Sequence, residues 1–368
     1  MLGLQPKEPM YDYIIVGGGI AGSILGYRLV EEGKSIILID EDSSKASWKV
    51  AGGVWNAISF KRILKSWMAD EMSDEALIFY RDLEKKLGIS FYESKEIVRL
   101  FGDVFSQNNW YSKSDDKEFS AYLSDDEPEA LKTLPLKIPF GAGRVKKGGF
   151  VNLYLFIPSL KEHLRKNAVL IKDKFDFSRL SVGDKKVLYG DYTAENIIFC
   201  EGYEVTNNPY FKWLPMRATK GEGLILKNPG WNFDFILNNG KHLMDMKDGR
   251  MGVGATFEWK ELNYEPTEKG KQELLTYLEK NFDYRDWEVL EHKAGIRPTV
   301  SDRRPLAGLH PNFNNVYIFN GLGTKGVLIA PWMSKKMSNY LLRGEELPKE
   351  ADIKRFIKKH FIQSQGAV

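Results

Sequence analysis

The sequence predicts an α/β chain interrupted twice by α+β segments, and three observations predict it. A strand, a glycine turn, a helix and a second strand follow one another from Tyr11 to Asp40. Aromatic, alternating segments then dominate residues 91–147 and 223–290. A strand, a glycine turn and a helix return over 316–342.

The N-terminal unit is the most specific. Residues 13–16, Tyr-Ile-Ile-Val, have the length and branching of a buried parallel strand. Gly17, Gly19 and Gly22 fit G-x-G-x-x-G. The first allows a tight turn, the second a close backbone approach to a pyrophosphate, and the third close helix packing. Ile20 and Ala21 open the helix, whose N-terminus offers free N–H groups and a positive dipole end. A strand over 35–39 delivers Asp40, followed by Glu41, about 20 residues past the turn, where an acid can bind a ribose hydroxyl. This is a Rossmann-like dinucleotide unit. An acid there favours an unphosphorylated ribose, so FAD or NAD rather than NADP.

The remaining elements follow in order. A loop containing Ala46, Ser47, Ala51, Gly52 and Gly53 leads into a helix over 61–69. A second helix spans 74–87, stopped by Gly88. Alternation over 91–100 and 104–111 predicts antiparallel strands, with a polar turn over 124–129. Gly148 to Asn152 opens a helix over 153–166, and strands follow at 168–171, 186–189 and 196–200. A second antiparallel group is expected at 223–226, 233–237 and 251–257, then a helix over 267–281 with Pro266 near its start. The final unit is a strand over 316–320 and a helix over 327–342, and the 353–361 run reads as a solvated amphipathic helix end. One nucleotide-binding domain thus comprises 9–90, 148–222 and 291–368, and a mixed, mainly antiparallel-sheet domain comprises 91–147 and 223–290.

Composition narrows the function. With 368 residues, 43% of them hydrophobic, the chain can bury a sizeable core. A net charge of +3 is too mild to demand nucleic acid or an anionic membrane. Cys200 is alone, and the five histidines form no H-E-x-x-H pair, so no metal site is expected. The start, MLGLQPKEPM, lacks the pattern of a signal peptide. No apolar run reaches the length of about 18 residues that a spanning helix needs. A cytoplasmic protein is expected.

Gly321-Leu322-Gly323-Thr324-Lys325-Gly326 repeats the glycine spacing. No later strand carries an acid, so a second dinucleotide site is not expected. Its N–H groups suit instead a flavin edge that gains negative charge on reduction.

Together these segments resemble the FAD-dependent D-amino-acid oxidase family, in its glycine oxidase and sarcosine oxidase branch. The likeness is strongest over 11–41, 46–62, 148–164, 196–226 and 294–334. It implies a non-covalent FAD along Ala46, Ser47, Ala51, Gly52 and Gly53, over Gly202, and against Gly323, Thr324, Lys325, Gly326 and Val327. Phe175 is counted with them. Cys200 stands where a smaller residue is usual, and reads as a small buried hydrophobe.

The segment AGIRPTVSDRRPLAGLHP resembles the family's Arg-Pro block, which implies that Arg297 grips a substrate carboxylate. A planar guanidinium suits that task, and a buried structural ion pair is the alternative. His242 stands where glycine oxidases carry a tyrosine; it donates to the carboxylate or is a bystander. Phe257 matches an apolar residue over the substrate, or is a core aromatic. Thr324 replaces an arginine, which brings the loop closer to the oxidase domain of bifunctional tRNA-modifying enzymes.

The resemblance implies oxidation of the C–N bond of an amino acid or N-substituted glycine. Hydride passes to flavin N5, and the imine is then hydrolysed. A small amino acid or secondary amine is the expected partner. Two alternatives remain: cleavage of a carboxymethylaminomethyl group from a wobble uridine in tRNA, and a flavoprotein dehydrogenase or electron-transfer subunit. Chirality, electron acceptor and oligomeric state are left open.

Overall fold

The computed structural model describes residues 10–362, so the signal-peptide reading of the first residues lies outside the described part. Two eight-stranded sheets organise it. In the first, Val169–Ile171, Ile36–Ile39, Met10–Val16, Tyr192–Phe199 and Val316–Asn320 run parallel to one another. Val187–Tyr189 and Leu180–Val182 add an antiparallel end beside Tyr192–Phe199, and Leu306–Leu309 pairs antiparallel with Val316–Asn320.

The apolar runs read as buried strands feed two cores at once. Tyr13, Ile15, Ile36, Leu38 and Ile198 enter one core with helices α1 (Ile20–Glu31), α2 (Ala69–Leu87), α4 (Leu153–Arg165) and α6 (Gly326–Arg343). Their neighbours Ile14, Val16, Ile37, Ile39 and Ile197 enter the other, with Phe199, Phe211 and Val205. The period-2 pleat with both faces covered explains why these runs do not alternate with polar residues. Arg28 ties the helical layer together, donating to Glu75 (2.7 Å), Ser334 (2.9 Å) and the carbonyl of Pro331 (2.9 Å).

The second sheet runs in the order Val289–Arg297, Thr219–Lys227, Arg250–Gly254, His242–Asp245, Phe235–Asn238, Glu96–Leu100, Ala142–Val145, Leu123–Ser124. Only the Phe235–Asn238 and Glu96–Leu100 pair is parallel. Helix α5 (Glu268–Asn281) packs on it through Leu274 and Leu278. Strands Thr219–Lys227 and Val289–Arg297 run through positions 222 and 290, where the sequence-based domain division changes. Val54–Asn56, Gly148–Val151 and Tyr92–Ser94 form a small sheet of their own, adjoining the second sheet through Lys95, whose N–H donates to the Gly148 carbonyl at 3.2 Å.

Several expectations are corrected. Residues 61–69 are not a helix. Ile63 and Met68 hold left-handed backbone (φ 47 and 49), Leu64–Lys65 forms a short strand, and α2 starts at Ala69. Residues 104–111 are not a strand but lie in helix α3 (Val104–Ser114). Asp103 caps it by accepting from the Ser106 N–H at 2.6 Å, and Trp110 is the residue it buries. Gly148–Val151 is a strand, and it is Asn152 that caps α4, accepting from the Tyr154 and Leu155 N–H groups. The strand expected to reach 257 ends at Gly254. The C-terminal run is not a solvated helix end, because Phe356 and Phe361 are buried.

Two expected outcomes follow. Asp103→Ala should loosen the start of α3, read as faster amide hydrogen exchange over 104–114; unchanged protection would contradict the cap. His310 is buried among Phe211, Phe313 and Phe361, and its Nδ1 accepts from the Asn312 N–H at 3.1 Å. Burial pushes its pKa down to about 4. The unfolded chain therefore takes up that proton first as pH falls from the usual value of about 6.5. Stability is full above that value and declines towards pH 4. Thermal unfolding against pH should show a shallower decline for His310→Gln than for the unaltered chain.

Candidate active site

The C-terminal ends of the Met10–Val16 and Ile36–Ile39 strands, the second sheet and the Gly321–Gly326 loop enclose a cavity of about 1100 Å³. It is lined at one end by Gly17, Gly19, Ile20, Ala21, Asp40, Glu41, Ala46, Ser47, Phe175 and Gly202. Ala51, Gly52, Gly53, Gly323, Thr324, Lys325, Gly326 and Val327 also line it, together with His242, Phe257 and Arg297. Gly22 does not. A Cβ there would lie 2.0 Å from the Gly17 carbonyl oxygen, so this glycine serves helix packing instead of contacting a ligand.

The turn fits an anionic group. Gly17 has φ +99, and a Cβ on Gly19 would meet nothing within 4 Å, so the backbone is bare towards the cavity. Helix α1 starts with no side-chain cap and no acid in its first turn, leaving its dipole end uncompensated. Asp40 reaches the cavity, but its carboxylate also accepts from Lys161 Nζ of α4 at 2.5 Å, a partner that no motif announced. Next to the turn, Glu201 is half-buried and accepts from Asn208 Nδ2 at 2.6 Å; desolvation raises its pKa to about 7. Burial also raises the Cys200 thiol, which packs as a small hydrophobe.

Arg297 ends the Val289–Arg297 strand. Its Nη1 donates to the Lys220 carbonyl at 3.3 Å and its Nη2 to the Thr256 carbonyl at 3.2 Å. The guanidinium carbon sits 4.6 Å from the centre of the Phe257 ring. Space for it comes from Gly221, where a Cβ would lie 2.0 Å from Nη2. Among the described residues no carboxylate pairs with it. Burial lowers its pKa to about 10, which keeps it charged at neutral pH.

The nearby acid Glu222 is already committed. It accepts from the Thr267 N–H and hydroxyl and pairs with His292 Nε2, each at 2.9 Å, with Lys220 Nζ at 3.4 Å. The structure therefore does not bear out the buried ion-pair alternative for Arg297.

His242 lies close over Gly52, where a Cβ would meet Nε2 at 2.7 Å. Burial, then the charges of Arg297 and Lys241, push its pKa to about 4, so the ring is neutral. In the glycine loop, Gly323 N–H donates to the Pro298 carbonyl at 3.2 Å, which joins the loop to the Arg-Pro block. Lys325 Nζ donates to the Asn56 carbonyl at 3.3 Å and to Ser66 Oγ, and burial lowers its pKa to about 8.

Sequence reasoning missed Lys161, Gly221 and Trp259. Trp259 lies two residues past Phe257, and its ring stacks on the Phe257 ring with centroids 6.2 Å apart. No group of histidine, cysteine and carboxylates suited to a metal occurs among the described residues. No described helix is long and apolar enough to cross a membrane.

Known proteins place this geometry in a family. A glycine oxidase of Bacillus subtilis (strain 168) is 23% identical over 91% of this chain and 94% of its own length. The bifunctional tRNA 5-methylaminomethyl-2-thiouridine biosynthesis protein MnmC of Marinobacter nauticus is 22% identical over 89% of this chain, which spans 54% of that relative. The L-proline dehydrogenase structure from P. horikoshii superposes with a TM-score of 0.81 at 15% identity, over 95% of this chain and 99% of that one. The family model for DAO, the FAD dependent oxidoreductases, matches residues 12–340. The chain belongs to this DAO family of FAD-dependent oxidoreductases.

Proposed function

We propose that the chain oxidises the C–N bond of a small amino acid or N-substituted glycine, with Arg297 as the carboxylate anchor. The observation that supports this most directly is a half-buried guanidinium in the cavity wall with two carbonyl partners and, among the described residues, no carboxylate. A buried charge without a counter-ion is costly, and a ligand carboxylate removes that cost through two charge-assisted bonds.

FAD, when bound, supplies the two-electron acceptor for the substrate C–H bond. The protein's own residues position the substrate. Arg297 fixes the carboxylate end, and the Phe257 ring beneath it limits its tilt. His242, neutral, adds a hydrogen-bond donor without a second charge. The substrate amine loses its proton before the Cα–H bond breaks, because only a free lone pair can form the imine. Water then adds to the imine, giving the oxo acid and the released amine. Bare backbone at Gly17 and Gly19, with the α1 N-terminus, is the proposed pyrophosphate cradle, and the 321–326 loop borders the redox end.

FAD-loaded protein should lose its visible absorbance anaerobically with at least one of glycine, sarcosine, proline or a D-amino acid. Arg297→Ala should weaken that substrate's apparent affinity by at least about thirtyfold, the scale of stripping the partner from a buried charge. Arg297→Lys should recover only part of it. Full turnover with unchanged affinity in Arg297→Ala would refute the assignment. Carboxylate binding should show no step near the usual histidine value of about 6.5, because His242 does not take up a proton until about pH 4. A step there that vanishes in His242→Gln would show a charged imidazole instead.

A further inference from the structure

We infer that Trp259, with Phe257, forms an aromatic shelf that selects N-substituted glycines carrying a planar ring, an inference that rests on the carboxylate role of Arg297. Glu258 is pinned to the Thr219–Lys227 strand by a reciprocal pair of backbone bonds with Lys220, at 2.8 and 3.0 Å. Phe257 and Trp259 flank that single bridge, one on each side of Glu258. Their rings stack with centroids 6.2 Å apart and planes inclined by 22°.

Phe257 lies under the Arg297 guanidinium and lines the cavity. Yet Phe257 is 48% exposed and Trp259 60% exposed. Two adjacent large rings left open to water beside a cavity mark a contact surface. A glycine or sarcosine held at Arg297 is too short to reach the indole. The Phe257 ring lies between them, 4.6 Å from the guanidinium and 6.2 Å from the Trp259 ring, so a methylene and a flat ring on the amine would extend along Phe257 towards the indole.

An aryl group and a nucleobase share this chemistry. The rim favours the free small molecule. At the cavity Lys49, Lys241 and Lys293 are paired with Asp42 (3.0 Å), Glu273 (2.6 Å) and Glu291 (2.6 Å), and Lys45 lies over the Tyr264 ring at 5.3 Å, which leaves Lys174 as a short run of free charge for a phosphate backbone.

The test uses FAD-loaded protein and the flavin absorbance change on binding of two thioether acids in which sulfur replaces the amine, (methylthio)acetate and (benzylthio)acetate. The benzyl compound should bind at least about fivefold tighter, the scale of one aromatic contact. That preference should collapse towards unity in Trp259→Ala and survive in Trp259→Phe. Equal binding of the two acids, or a preference that persists in Trp259→Ala, overturns the shelf. Binding of neither acid overturns the Arg297 reading and the shelf with it. Displacement of the benzyl compound by hypomodified tRNA at tenfold lower concentration than by free N-benzylglycine overturns the small-molecule assignment in favour of a nucleobase in RNA.

Discussion

The cavity is organised around a positive charge that the protein does not neutralise. Arg297 is held by carbonyl dipoles of Lys220 and Thr256 and by the face of Phe257, all weaker partners than a carboxylate. This arrangement persists because the neighbouring acid is engaged elsewhere. Glu222 spends its charge on Thr267, His292 and Lys220, and in doing so joins the start of helix α5 to the Thr219–Lys227 strand. The same strand carries the glycine that makes room for the guanidinium. Support and vacancy are thus built from one pair of strands, Thr219–Lys227 and Val289–Arg297, whose register sets Thr219 opposite Arg297.

The two ends of the cavity are nearly 300 positions apart in sequence, and the first sheet brings them together. Met10–Val16 ends in the Gly17 turn, Tyr192–Phe199 ends in Cys200 and Glu201 beside it, and Val316–Asn320 ends in the 321–326 loop. All three strands are parallel neighbours, so their C-terminal ends open on one side, where α/β sheets place ligands. The Gly323 bond to the Pro298 carbonyl couples that side to the second sheet. An elongated cofactor with an anionic middle and an oxidising ring meets both requirements, and FAD is that cofactor in this family.

The parallel core was legible where a short apolar run closes on glycine or an acid, as Met10–Val16 does on Gly17, Val316–Asn320 on Gly321 and Ile36–Ile39 on Asp40. The Arg297 end of the cavity was legible only through the Arg-Pro block and its family likeness, since a lone arginine does not announce its lack of a partner. Other features were hidden for physical reasons. Val104 and Phe105 looked like a strand because they are large and apolar, yet both are exposed and the Asp103 cap decided for helix. Ile63 and Met68 break a helical pattern through left-handed backbone that neither residue type advertises. Lys161 reaches Asp40 across 121 positions, a pairing that only the packing of α4 on α1 creates.

The most direct measurement is an experimental structure of the FAD-loaded protein with (methylthio)acetate bound. Both carboxylate oxygens should lie against the Arg297 guanidinium, with the thioether directed away from it towards the flavin. A carboxylate bound elsewhere in the cavity, with Arg297 still bonded only to the carbonyls of Lys220 and Thr256, would contradict it.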